Sequence, residues 1–162
     1  MIAPQTPLAP GLALVFDMDG VIVDSNHLHR QAWEAFNRRY GLETTEAMHE
    51  SMYGKRNDDI VRNFYGPALP DAEVMARGAA KEALYREMAK DRLEEMLVPG
   101  LREFLQSFRD SPMALASNGE AENVELIVEK AHSYEVPEIV ALPIVDGAPN
   151  YLNWMSESLR AE

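Results

Sequence analysis

The stretch LALVFDMDGVIVDS, Leu12 to Ser25, decides the reading of this chain. Its first five residues are an apolar run long enough for one fully buried strand. Asp17 and Asp19 follow, two apart, and then Gly20. A carboxylate just past a buried parallel strand lies at the carboxyl edge of the sheet, where open α/β folds place their chemistry. Two carboxylates about 4 Å apart repel by about 4 kcal/mol at an intermediate dielectric. A hard cation such as Mg2+ between them is the simplest relief, and Gly20 lets the backbone turn sharply beside it.

Composition narrows the classes. The chain has 162 residues, of which 46% are hydrophobic and 26% charged, as expected for one domain or a domain with a small insert. Its net charge of −12 argues against nucleic acid and anionic membranes as partners. The same charge opposes a phosphorylated substrate unless local cations focus it. With no cysteine, disulfides and thiolate metal sites are excluded, which fits a cytoplasmic protein. The opening MIAPQTPLAPG lacks the pattern of a signal peptide, and no apolar run nears the roughly 20 residues of a membrane span.

Along the chain, Ser25 or Asn26 is placed to cap a helix running to about Tyr40, with Trp33 and Phe36 on one face and Gly41 as its stop. Thr44 or Thr45 opens a shorter helix that ends before Gly54. Asn57 to Tyr65 read as a third helix. Asp71 caps a long fourth, DAEVMARGAAKEALYREMAKDRL. Some seventy residues of helix thus separate the first strand from the next β signal. Pro99 and Gly100 mark the return, followed by a helix over Leu101 to Phe108. Met113 to Ala116 read as a second buried strand, ending in Ser117-Asn118-Gly119. A hydroxyl and open backbone N–H groups at such a turn suit phosphate oxygens. Glu120 to Ala131 complete an amphipathic helix.

The run FDMDGVIVDS resembles the first motif of haloacid-dehalogenase-like (HAD) hydrolases, in the spelling of the β-phosphoglucomutase-like branch. The turn after the second strand resembles that family's second motif. The resemblance implies an α/β fold, a truncated HAD-like Rossmannoid core with a parallel sheet of about three strands and an α-helical cap insertion. The core would comprise residues 1–24 and 98–131, and the cap 25–97. It also implies Mg2+-dependent phosphoryl transfer on a small phosphorylated metabolite. Asp17 would be the nucleophile, carrying an aspartyl-phosphate, and Asp19 the general acid and base. Both would serve the metal, Asp19 through its backbone carbonyl, and Ser117 and Asn118 would hold the phosphate. His29 matches a histidine that couples cap closure to the acid/base aspartate, or is a plain surface histidine. Lys55 and Arg56, in the loop after Gly54, are either substrate-facing cations or a solvated pair.

Two parts of the family pattern are missing: a lysine beyond the second strand's helix, and a later acidic pair after a strand. Asp146 is the last aspartate left. On a third strand beyond the second it would stand roughly 10 Å from Asp17. Catalysis is therefore expected to be weak or lost.

From His132 to Leu159 the sequence HSYEVPEIVALPIVDGAPNYLNWMSESL resembles the C-terminal part of the CutA divalent-ion tolerance family, through His132, Tyr134, Glu135, Pro137, Glu138, Tyr151 and Trp154. The likeness covers about a quarter of the chain, residues 132–162 forming a segment completing or appended to the core. Ile139 to Val145 read as a third strand, and Tyr151 to Leu159 as a last helix. The second reading is thus a non-catalytic chimera whose CutA-like tail mediates self-association or divalent-ion binding.

Overall fold

A computed structural model describes residues 13–131, 147–150 and 152–153. Two short strands, β1 (Leu14–Phe16) and β2 (Met113–Leu115), pair in parallel with Phe16 opposite Leu115. The ladder continues past them: Ala116 N–H donates to Phe16 O at 2.8 Å. The two carboxyl ends therefore lie side by side.

Five helices fill the sequence between the first acidic turn and Pro99. They are α1 (Asn26–Arg39), α2 (Glu46–Met52), α3 (Asn57–Tyr65), α4 (Asp71–Ala89) and the single turn α5 (Leu93–Met96). After them come α6 (Leu101–Ser107), β2 and α7 (Ala121–Ala131). This is the α/β arrangement that the resemblance implies, a small parallel sheet with a helical insertion. Both ends of the insertion meet beneath the motif. Val23 bridges Leu97 antiparallel, Asp24 N–H donates to Met96 O at 2.7 Å, and Val98 N–H to Ile22 O at 3.0 Å.

Two apolar clusters hold the structure. Trp33 and Phe36 pack with Met52, Ile60, Val61 and Val74 inside the insertion. The other cluster joins Met18 and Val23 to Leu28 of α1, Tyr85 and Ala89 of α4, Leu101 of α6 and Ile127 of α7. The helical insertion is thus seated on the strand layer by shared core, not merely tethered to it.

Several sequence expectations change in detail. Neither strand is fully buried: Val15 is 66% exposed and Met113 38%. Described residues cover one side of this two-stranded layer, where Phe104 meets Phe16 edge-on at 6.1 Å. Asp71 does not cap α4. Pro70 occupies the cap position without a side-chain hydrogen bond, and Asp71 sits in the first turn paired with Arg62. The fourth helix stops at Ala89, and Leu93–Met96 form a separate turn. Ser25 flanks α1 without capping it, because its hydroxyl is engaged elsewhere. Thr45, by contrast, accepts the Met48 N–H at 3.3 Å as expected of a cap. The third strand expected over Ile139 to Val145, the CutA-like signature residues and Asp146 lie outside the described residues. Of the last helix there is one described turn, in which Leu152 N–H donates to Ala148 O at 3.0 Å.

Candidate active site

The acidic turn is built by its own backbone. Val23 N–H and Ile22 N–H both donate to Met18 O, at 3.1 and 2.9 Å, and Gly20 N–H donates to Val23 O at 2.7 Å. Gly20 closes this loop at φ 81°, where a side chain would be strained. Met18, buried, anchors the turn from below, leaving Asp17 and Asp19 on the other side. Asp17 is exposed, and its Oδ1 accepts the Met18 N–H at 2.7 Å.

Asp19 is half-buried and accepts a hydrogen bond from the Ser25 hydroxyl. Burial holds its carboxyl above the usual carboxylate range. Ser25 opposes this, and the charge of Asp17 adds to it. A carboxyl in that state can carry a proton nearer neutrality than a free carboxyl can.

The hydroxyl turn after β2 faces the same place. A Cβ placed on Gly119 would stand 3.1 Å from Met18 Cε, 3.2 Å from Ser117 Oγ and 4.0 Å from Asp19 Oδ2. One point therefore lies within 4.0 Å of both the Asp19 carboxylate and the Ser117 hydroxyl. Ser117 Oγ accepts the Gly119 N–H at 3.0 Å, which leaves its proton to donate outward. Asn118 is exposed beside it.

His29 Nε2 lies 4.0 Å from Asp19 Oδ1. Its ring stacks on Tyr85 at 3.9 Å between centroids, 4° from parallel, and its Nδ1 is 2.8 Å from Lys81 Nζ. Burial, then the Lys81 charge, pull the imidazole down to about 4, so it is neutral at pH 7 and accepts the lysine proton at Nδ1. This histidine is partly buried, with 20% of its side chain exposed. Lys55 and Arg56 are exposed, and Arg56 Nε lies 3.5 Å from Asp58 Oδ1.

Sequence reasoning missed Lys81, Glu82, Asn57 and Asn123. Lys81 and Glu82 are buried and 2.7 Å apart. Burial lowers the lysine pKa, while Glu82, Glu120 and Asp19 work against the shift. Glu82 Oε1 also accepts from Asn57 Nδ2 at 2.9 Å, and Oε2 from Asn123 Nδ2 at 2.8 Å. A signal existed: Val74, Gly78, Lys81, Glu82, Tyr85 and Ala89 fall on one buried stripe of α4, so the Lys-Glu pair occupies core positions.

Asp17 and Asp19 offer hard oxygens, and their mutual repulsion favours a cation, which fits Mg2+. Among the described residues, however, no group of three or more potential ligand side chains gathers. An open cleft of about 530 Å3 along α1 is lined by Asp24, His27, Arg30 and Tyr53 but by none of the residues above. Its Arg30 is held in a two-bond pair by Glu46, at 3.0 and 2.7 Å.

The haloacid dehalogenase-like hydrolase family model matches residues 12–155. This chain belongs to the haloacid dehalogenase-like hydrolases. A yeast (Saccharomyces cerevisiae) 2-deoxyglucose-6-phosphate phosphatase is 30% identical over 94 residues, covering 57% of this chain and 36% of the enzyme. A HAD hydrolase of Entamoeba histolytica shares the fold with TM-score 0.62 and 24% identity, over 73% of this chain and 54% of that one. A β-phosphoglucomutase of Clostridium difficile aligns with TM-score 0.60 and 19% identity, over 74% and 56%. The chain thus spans about half the length of these solved HAD structures.

The chain also carries a CutA-like segment. The divalent-cation tolerance protein CutA of Thermus thermophilus is 32% identical over 99 residues, 53% of this chain and 96% of that protein. This is longer than the quarter of the chain that the signature residues suggested. No helix among the described residues is long and apolar enough to cross a membrane.

Proposed function

We propose that this HAD-like hydrolase transfers phosphoryl groups from a small phosphorylated metabolite through an aspartyl-phosphate on Asp17, with Mg2+ as cofactor. The observation that carries the reading is the meeting of the acidic and hydroxyl turns around Gly119, within 4.0 Å of Asp19 and Ser117. Asp17 is exposed and open to attack phosphorus; the bond to the ester oxygen breaks as the bond to Asp17 forms. Asp19, with its raised pKa, gives its proton to the departing oxygen. In the second half Asp19 takes a proton from water, whose oxygen attacks phosphorus and releases Asp17. Ser117 and Asn118 hold the phosphate oxygens. Asp17 and the Asp19 carbonyl would hold Mg2+, which when bound screens the phosphate charge.

In this reading residues 25–97 act as a lid over a core of 1–24 and 98–131, and His29 transmits the lid position to Asp19. The protein works in the cytoplasm, a setting supported by the absence of cysteine. Phosphate release from small sugar phosphates with Mg2+, compared with Asp17→Asn, tests the reading. Turnover should fall at least a hundredfold in the variant; equal rates remove Asp17 from the mechanism.

A second reading is favoured by the CutA likeness and the exposed Val15 and Met113: the HAD part is scaffold, and the chain self-associates or binds divalent ions without turnover.

A further inference from the structure

This inference rests on the reading of Asp19 as general acid. The oxygen that takes its proton belongs to the leaving group, so the body of the substrate lies on the Asp19 side of the phosphate. The groups around that side decide what the leaving group can carry.

Gly119 stands against Asp19, and the residue after it is Glu120. Both Glu120 oxygens are tied. Oε1 accepts from Asn57 Nδ2 at 3.2 Å, and Oε2 lies 3.7 Å from Arg86 Nη1. The same Asn57 amide donates to Glu82 Oε1 at 2.9 Å. One amide on α3 therefore holds two carboxylates together beside the acid/base group. Glu82 is buried, but the Glu120 side chain is 37% exposed and can face a bound molecule.

The cations near these carboxylates are already matched. Lys81 is buried and paired with Glu82 at 2.7 Å. Arg86 divides its guanidinium between Glu120 and Asn123 Oδ1, the latter at 2.9 Å. His29 is neutral. A hydroxyl entering here finds a carboxylate acceptor; a second phosphate finds like charge in a half-desolvated place.

We propose that Glu120 is a specificity-determining residue. It restricts the substrate to a single phosphate on a hydroxyl-bearing, otherwise uncharged body and turns away bisphosphates by repulsion. Lys55 and Arg56 lie just ahead of Asn57, and a second phosphate held by that exposed pair is the rival outcome.

The test is calorimetric binding of glucose 6-phosphate and of glucose 1,6-bisphosphate to the full chain carrying Asp17→Asn, in Mg2+ at fixed ionic strength. The monophosphate should bind at least about tenfold tighter. Glu120→Gln in the same background should narrow the preference to within about threefold, and Glu120→Lys should reverse it. A bisphosphate that binds as tightly as the monophosphate with Glu120 present overturns the inference. So does a ratio that Glu120→Gln leaves unmoved, or an absence of binding by either compound. Turnover of the unsubstituted chain on glucose 6-phosphate separates the two claims. Preference without turnover removes the Asp17 chemistry and keeps the Glu120 assignment; turnover without preference does the reverse.

Discussion

His29 is neutral because its ring is enclosed by Tyr85 and faces the Lys81 ammonium. Its pKa falls from 6.5 to about 4 on folding, so the unfolded chain takes the proton first. Stability from this group is complete above pH 6.5 and declines as pH falls toward 4, by about 3 kcal/mol at most. Urea unfolding at pH 7 and pH 4.5 should show this loss in the parent chain. In His29→Phe, which keeps the stack on Tyr85, the loss should be smaller; an unchanged pH slope would refute the account. Lys81→Met tests the neighbouring link. With the ammonium gone, Glu82 is left buried without its cation, and stability should fall by about 3 kcal/mol. The aspartates were legible in the sequence because the turn that presents them is local, Leu12 to Ser25. Lys81 was not, because it meets His29 across 52 positions of chain.

At the scale of elements, helix positions followed from local chemistry. Asn57–Tyr65 matched the expected bounds, and Gly66 ends that helix at φ 108°. Strand burial did not follow, because an apolar run fixes what a strand could bury and not how many elements cover it. Packing between elements depends on the Glu82 carboxylate, which joins α3, α4 and α7 through Asn57, Lys81 and Asn123. Asn123 is itself buried and also accepts from Arg86. Asn123→Leu removes a donor from a buried carboxylate and an acceptor from a guanidinium. It should cost about 2–4 kcal/mol in chemical denaturation. The control, Glu122→Gln on the exposed side of α7, should change stability by less than about 0.5 kcal/mol. If both variants unfold alike, the hub does not join the helices. Asn57 and Asn123 are marked by neither type nor spacing, and the helical spacing that sets Lys81 and Glu82 on the buried stripe of α4 does not name their partners; the tertiary fold assembles them.

For the molecule as a whole, two forces oppose each other at the sheet. Val15, 66% exposed, and Met113 place apolar area at the surface of a two-stranded layer, and exposed strands invite pairing with a second copy. A net charge of −12 on each chain resists that approach. Repulsion between surfaces is screened within about 10 Å at 0.1 M salt, whereas apolar contact is not weakened by it. Self-association should therefore grow with ionic strength. Light scattering should give a mass near 18.2 kDa in about 20 mM salt and a larger one in about 300 mM at equal concentration. Val15→Lys should hold the monomer mass in both, because it places a charge in the contact. A parent chain monomeric at both salts would refute the sheet as an interface, whereas association that Val15→Lys leaves intact would move the contact to the CutA-like segment.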